Sequence, residues 1–263
     1  METLGRLDIS QAGHLSRIVI DNQTKRNAMT FDMWSRFGDE VERLEQDMNV
    51  RALILSGGGD KAFMSGADIS EFDRLRSSDE GVARYNDAVE RAELGLYRLM
   101  KPSIAKIKGV CVGGGVGIAV CCDIRIATPD ARFAIPAAKL GLGYGQDGVQ
   151  RLCDLIGPSH AADIFFTGRL IGAEEARDMG LVNAIVKAED IDAYVDEYAE
   201  AIVANAPLSI KASKAAIRAW SGSLPELSPA KLEEMVEACF QSNDYAAGRK
   251  AFAEKKTPKF NGS

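Results

Sequence analysis

Apolar positions along this chain fall into short runs, and the period within each run sets the element it predicts. Leu4 to Asp21 alternates on both sides of a turn at Gln11–Gly13, which predicts a β-hairpin. After a polar, basic loop from Asn22 to Asn27, Thr30 is placed to cap a helix running from Phe31 to about Met48. Phe31, Met33/Trp34, Phe37, Val41 and Leu44 recur there at helical spacing. Val50 to Ser56 reads as a buried strand, and residues 69 to 100 as charged helix stopped by Pro102. A short apolar run through Ile104 and Ala105, the glycines at 113–115 and the apolar stretch Val116–Cys122 predict strand, glycine turn and buried helix. Ile124–Ala127 and Ala131–Ile135 are short strands about a turn at Pro129–Asp130. A glycine-rich loop, Lys139 to Asp147, leads into a helix over Val149–Ile156, and Gly168 to Val186 repeats turn, helix and strand. From Ile191 onward the pattern is helical, with Leu208–Trp220 started by Pro207, then Glu226–Ser242 and Asp244–Lys256. The order is an α/β repeat, divided into a core over residues 1–195 and a helical region over 196–263. The second part is too small for a core of its own, so it must pack on the body or on a neighbouring subunit.

Composition narrows the function classes. With 263 residues, 46% hydrophobic and 27% charged, the chain has the make-up of an ordinary globular protein. A net charge of −6 with a pI near 5.2 disfavours nucleic acid as a partner. No apolar run reaches membrane-span length, and residues 1–8 lack a signal-peptide core. Cys111, Cys121, Cys122, Cys153 and Cys239 are odd in number and mostly set in apolar runs, which suits a reducing, cytoplasmic setting and neither disulfides nor metal. His14 and His160 are the only histidines, leaving little for a zinc site or a Ser-His-Asp triad. Gly57–Ala62 satisfies a relaxed dinucleotide fingerprint, but no strand ending in an acidic residue follows it at the required distance.

Two motifs carry chemistry: Gly66-Ala67-Asp68 and Gly113-Gly114-Gly115, each small and each at a helix start. The first N–H groups of a helix have no intrahelical partner and sit at the positive end of its dipole. A converging pair suits a thioester oxygen that gains negative charge. The plainer alternative is that the glycines only let a helix approach a sheet.

Taken together, Lys25-Arg26-Asn27-Ala28-Met29, Phe63 to Asp68, Ile107 to Gly115, Cys122-Asp123, Phe133 to Gly141, Gln150-Arg151-Leu152 and Phe252 to Phe260 resemble the enoyl-CoA hydratase/isomerase (crotonase) superfamily over nearly the whole chain. That resemblance implies an α/β spiral of β-β-α units with a helical C-terminal trimerisation region. It also implies a homotrimer or dimer of trimers, and a pocket for an acyl-CoA substrate with no separate cofactor. It assigns oxyanion-hole N–H groups to Ala67 and Gly114. Lys25, Arg26, Ala62 and the Ala67-Asp68-Ile69 backbone would lie along the CoA, although Lys25 and Arg26 also fit a solvated loop. The chain departs from the pattern where hydratases carry two glutamates: here those positions are Gly117 and Ala137, so ordinary crotonyl-CoA hydration is doubtful. Tyr144 and Asp147 are the remaining polar candidates in the glycine-rich loop. Tyr144 occupies a place where the superfamily's methylmalonyl-CoA decarboxylases also have tyrosine, and it is the better-placed proton donor. Asp147 also fits a first-turn helix carboxylate. The alternatives are a decarboxylase-like lyase using Tyr144, or a non-catalytic acyl-CoA-binding homologue. RNA binding, known in some members, is disfavoured by the acidic balance.

Overall fold

A computed structural model describes residues 5–222, 224 and 226–263; Leu4, the expected start of the first strand, lies outside them. Along the chain the strands are β1 (Arg6–Ala12), β2 (Leu15–Asp21), β3 (Ala52–Gly57), β4 (Ala62–Met64), β5 (Ser103–Ile107), β6 (Val110–Val112), β7 (Ile124–Ala127), β8 (Arg132–Ala134), β9 (Ile171–Gly172) and β10 (Ala184–Ile185). The helices are α1 (Phe31–Gln46), α2 (Phe72–Leu75), α3 (Asp79–Arg98), α4 (Gly114–Cys121), α5 (Gln146–Thr167), α6 (Ala173–Asp178), α7 (Ile191–Val203), α8 (Pro207–Trp220), α9 (Pro229–Phe240) and α10 (Asn243–Ala253).

Two sheets stack. One has the order β1-β2-β3-β5-β7-β10 and the other β4-β6-β8-β9. Among the described residues only the β1–β2 hairpin and the β8–β9 pair are antiparallel. The chain therefore spirals: β3 then β4, β5 then β6, and β7 then β8 each place one strand in each sheet, and a helix follows. The β5–β6 corner passes so close to the neighbouring corner that a Cβ on Gly109 would stand 2.2 Å from the Lys61 carbonyl oxygen, at φ +63°. Only glycine fits there.

The helix that follows β6 is the hub. Residues Gly115 to Cys121 of α4 are all buried, as its apolar sequence requires. Beside it α1 buries Met33, Trp34, Phe37, Val41 and Leu44, the expected stripe, and Thr30 accepts the Met33 N–H as its cap. Burial also pushes the thiols of Cys111, Cys121 and Cys122 up, so they pack as small protonated core groups. On the far side of the six-stranded sheet, Ile191, Val195 and Ala199 of α7 close over Leu15, Ala52, Ile54, Ile104 and Ile126. The expected division at 195/196 thus falls inside a helix that belongs to the core, and the helical extension begins after Val203.

That extension is tied on through Asp123. Its carboxylate accepts from the Ser103 N–H at 2.7 Å, Lys214 Nζ at 2.6 Å and Arg218 Nη2 at 2.9 Å. Helix α9, by contrast, buries no residue. One boundary differs substantially from expectation. Helix α5 runs to Thr167 because Gly157, at φ +79°, kinks the chain and Pro158 restarts the helix instead of ending it. Among the described residues no helix is long and apolar enough to cross a membrane.

Candidate active site

Adjacent parallel strands end on the same edge of a sheet, so the pairing β4-β6-β8 brings three loops together. In the loop after β4, the Met29 N–H donates to the Gly66 carbonyl at 2.8 Å and the Asp68 N–H to the Met29 carbonyl at 2.8 Å. These bonds flank Ala67 and turn its own N–H to the opposite side, where it meets no hydrogen-bond acceptor among the described residues. The motif Lys25-Arg26-Asn27 pins this corner: Asn27, buried, donates to the carbonyls of Gly58 and Ala62 and accepts the Asn22 N–H.

In the loop after β6, the Gly113 N–H is held by the Ala134 carbonyl at 2.8 Å, and Gly113, at φ +58°, starts α4. Its carbonyl takes the N–H of Val116 and Gly117, while the Gly114 N–H is left without an acceptor among the described residues. The two loops touch. A Cβ on Gly66 would stand 3.4 Å from the Gly114 nitrogen, and one on Gly115 would stand 2.2 Å from the Met64 carbonyl. The loops that carry these two N–H groups are thus in contact at the start of a buried helix, its positive end.

The remaining candidates sort by their surroundings. Tyr144 packs edge-on against Phe165, with ring centroids 5.0 Å apart, and Gly148 leaves room for its ring. Burial, and secondarily Glu93, pushes its phenol above the ordinary tyrosine range. Asp147 is exposed in the first turn of α5, where the helix dipole favours a carboxylate. Ala137 lies half-buried in the single turn Pro136–Leu140 that follows β8. Lys25 reaches Asp68 Oδ2 at 2.7 Å and Ser70 Oγ at 2.9 Å; Asp68 also caps the Ile69–Glu71 turn, and these bonds hold its carboxyl below the usual range against the opposing effect of burial. Arg26 and Ile69 are exposed nearby, but Ala62 is buried within β4 and offers no surface.

Sequence reasoning missed one residue at this edge: Glu93. It sits on α3 with its side chain 12% exposed and accepts from Arg151 Nη2, on α5, at 2.7 Å. Its second oxygen, Oε1, comes within 2.5 Å of where a Cβ on Gly117 would be, and the Tyr144 hydroxyl within 3.1 Å of the same point. Burial outweighs the arginine and raises the carboxyl pKa. The signal was present in the sequence. Glu93 stands four residues from both Val89 and Tyr97, on the face that α3 turns inward. A cavity of about 990 Å³ lies elsewhere, at the other end of α4 beneath α8, lined by Cys122, Asp123, Lys214, Arg218 and Trp220.

The sequence profile of the enoyl-CoA hydratase/isomerase family matches residues 11–263. The chain belongs to that family. A short-chain-enoyl-CoA hydratase of Clostridium acetobutylicum is 35% identical over 256 residues, covering 96% of each chain. A carnitinyl-CoA dehydratase of Salmonella typhi is 32% identical over 97% of this chain and 98% of its own. Among solved structures, an enoyl-CoA hydratase/carnithine racemase from Magnetospirillum magneticum superposes with a TM-score of 0.93 at 32% identity, covering 99% of this chain and 97% of that one. The crotonase fold expected from the sequence is the fold of this enoyl-CoA hydratase/isomerase family member. Positions 117 and 137 are glycine and alanine here, and a buried carboxylate next to α4 comes from α3.

Proposed function

We propose that this family member is an enzyme that binds an acyl-CoA thioester and moves a proton on the carbon skeleton next to the thioester, through an enolate. The observation that carries this reading is the pair of unbonded N–H groups of Ala67 and Gly114 at the start of α4. A thioester carbonyl accepts weakly from such a pair, and its enolate oxygen accepts strongly, so the site binds the charged state better than the neutral one. Each donor is worth roughly 10²–10³ in rate. The CoA runs past the Lys25–Arg26 corner and the Asp68–Ile69 turn. Lys25, already paired with Asp68, contributes charge to that corner more than a dedicated contact.

Hydration requires a placed water as well as a proton, which suits two carboxyl groups of tuned pKa. Gly117 and Ala137 supply neither, so proton relocation without water is the favoured chemistry. Tyr144 loses the role of proton carrier given to it from the sequence. A phenol whose pKa is pushed above its usual value is a weaker acid, so Tyr144 serves as a neutral hydrogen-bond donor. Asp147, exposed at the helix start, takes no part in the chemistry. The full set of helices points to assembly as a trimer or dimer of trimers: α9 buries nothing within one chain, and Trp220 and Phe252 are 94% and 87% exposed. Cysteine usage supports a cytoplasmic setting.

Calorimetry with acetoacetyl-CoA tests the binding reading, with one specific site per chain expected. No detectable binding at millimolar ligand would end it.

A further inference from the structure

We propose that Glu93 is the catalytic carboxylate of this site, supplied by α3 into space that Gly117 leaves open. The proposal rests on the CoA-thioester reading above.

Helix α4 rises about 1.5 Å per residue, so Gly117 lies about 4.5 Å along the axis from the Gly114 N–H. A thioester whose oxygen meets that N–H therefore directs its acyl chain along the first turn of α4, towards the point where Glu93 Oε1 lies. Oε2 is committed to Arg151, while Oε1 accepts no hydrogen bond among the described residues. One oxygen is anchored and the other occupies the space that a side chain at position 117 would fill. Glycine at position 117 gives Oε1 that place: a Cβ there would stand 2.5 Å from it, and the carboxylate would have to shift.

The competing explanation is a structural ion pair that clamps α3 to α5. Such a pair needs no glycine opposite it and gains nothing from an oxygen left without a donor. Nor does it require burial that lifts the carboxyl pKa, which costs stability near neutral pH; a base that must both take and release a proton gains from that shift.

A single carboxylate completes the reaction without a second acid. Ionised Glu93 takes the proton from C2 of a 3-enoyl thioester. The C–H electron pair moves into the carbonyl, giving a dienolate whose oxygen rests on the Ala67 and Gly114 N–H groups. The carboxylic acid then returns the proton to C4, the double bond settles between C2 and C3, and the carboxylate is regenerated. No water, oxidant or reductant enters. Tyr144, near the same point, can donate to the bound acyl group.

The groups facing Glu93 are Arg151 from α5, Tyr144 from the loop before it, Cys121 from α4 and Glu90 on its own helix. Arg151 stays cationic throughout, and the Cys121 and Tyr144 protons leave only well above neutral pH. A base must be ionised to act, so the rate should fall on the acid side at a pH above the ordinary glutamate value of about 4.3.

The test uses the full chain in D₂O with trans-3-hexenoyl-CoA. It follows isomerisation and deuterium uptake by mass spectrometry, with acetoacetyl-CoA affinity by calorimetry and folding by circular dichroism. Glu93→Gln should lower kcat by about 10²–10⁴-fold and remove the acid limb, with affinity changed less than about threefold. Gly117→Ala keeps both charges of the ion pair but displaces Oε1, and should lower kcat about 10²-fold. Activity of Glu93→Gln within about threefold of the parent would overturn the proposal. Binding of acetoacetyl-CoA by a parent protein that moves no proton would overturn it too, leaving the binding reading intact. Absence of binding would remove both.

Discussion

The two halves of the site are built in different ways. The N–H half comes from backbone: two short loops, six residues in all, each at the end of a strand and each set by glycines within a residue or two of the donor. The proton-transfer half comes from side chains on three separate pieces of chain: Glu93 on α3, Arg151 on α5 and Tyr144 ahead of it, with Glu93 and Arg151 58 residues apart. The first half depends on local conformation and tolerates little change in it. The second depends on how helices pack, so a carboxylate beside α4 can be supplied by another helix. The contrast teaches that a pocket of this kind can retain its electrostatic floor while its acid–base groups move.

The sharpest way to break the comparison is Glu93→Gln, expected to cost about 10²–10⁴ in kcat for proton relocation with binding intact. A retained rate would mean that the side-chain half lies elsewhere. Next comes Gly114→Pro, which removes one N–H at a helix position where proline is tolerated. Steady-state kinetics should show kcat lower by about 10²–10³ while circular dichroism keeps the helix content. A loss under about threefold would show that this N–H does not meet the developing charge. Tyr144→Phe should have a smaller effect, about tenfold in kcat, because a neutral donor is lost and not the proton carrier. A loss as large as that of Glu93→Gln would return the proton-carrier role to the tyrosine. Smallest of all, Asp147→Asn should leave the rate within about threefold and lower the melting temperature by under about 4 °C, the usual scale for one charge at a helix N-terminus.

Much of this was legible in the sequence. The capped stripe of α1 had the periodicity and the Thr30 cap that the fold uses. The Gly113–Gly115 turn into an apolar run became the buried helix α4. Where the reading failed, two local rules were overridden. Gly157-Pro158 looks like a helix end but kinks α5. Composition places a boundary near 190–205, and within that range it is the end of α7 that matters, because α7 covers the sheet.

Sequence by itself determined the backbone half of the site, because helix starts, caps and positive-φ turns are decided by a few adjacent residues. It also marked Gly117 and Ala137 as unable to carry an acid. Only the tertiary structure decided what replaces them. Glu93 is one of several glutamates on a charged helix, and its spacing from Val89 and Tyr97 puts it on the inward face without saying what it meets there. Its burial, its arginine and its seat over Gly117 arise when α3, α4 and α5 pack together. Pairings between residues far apart in the chain are set by the packing of whole helices, and no local run of residues encodes them.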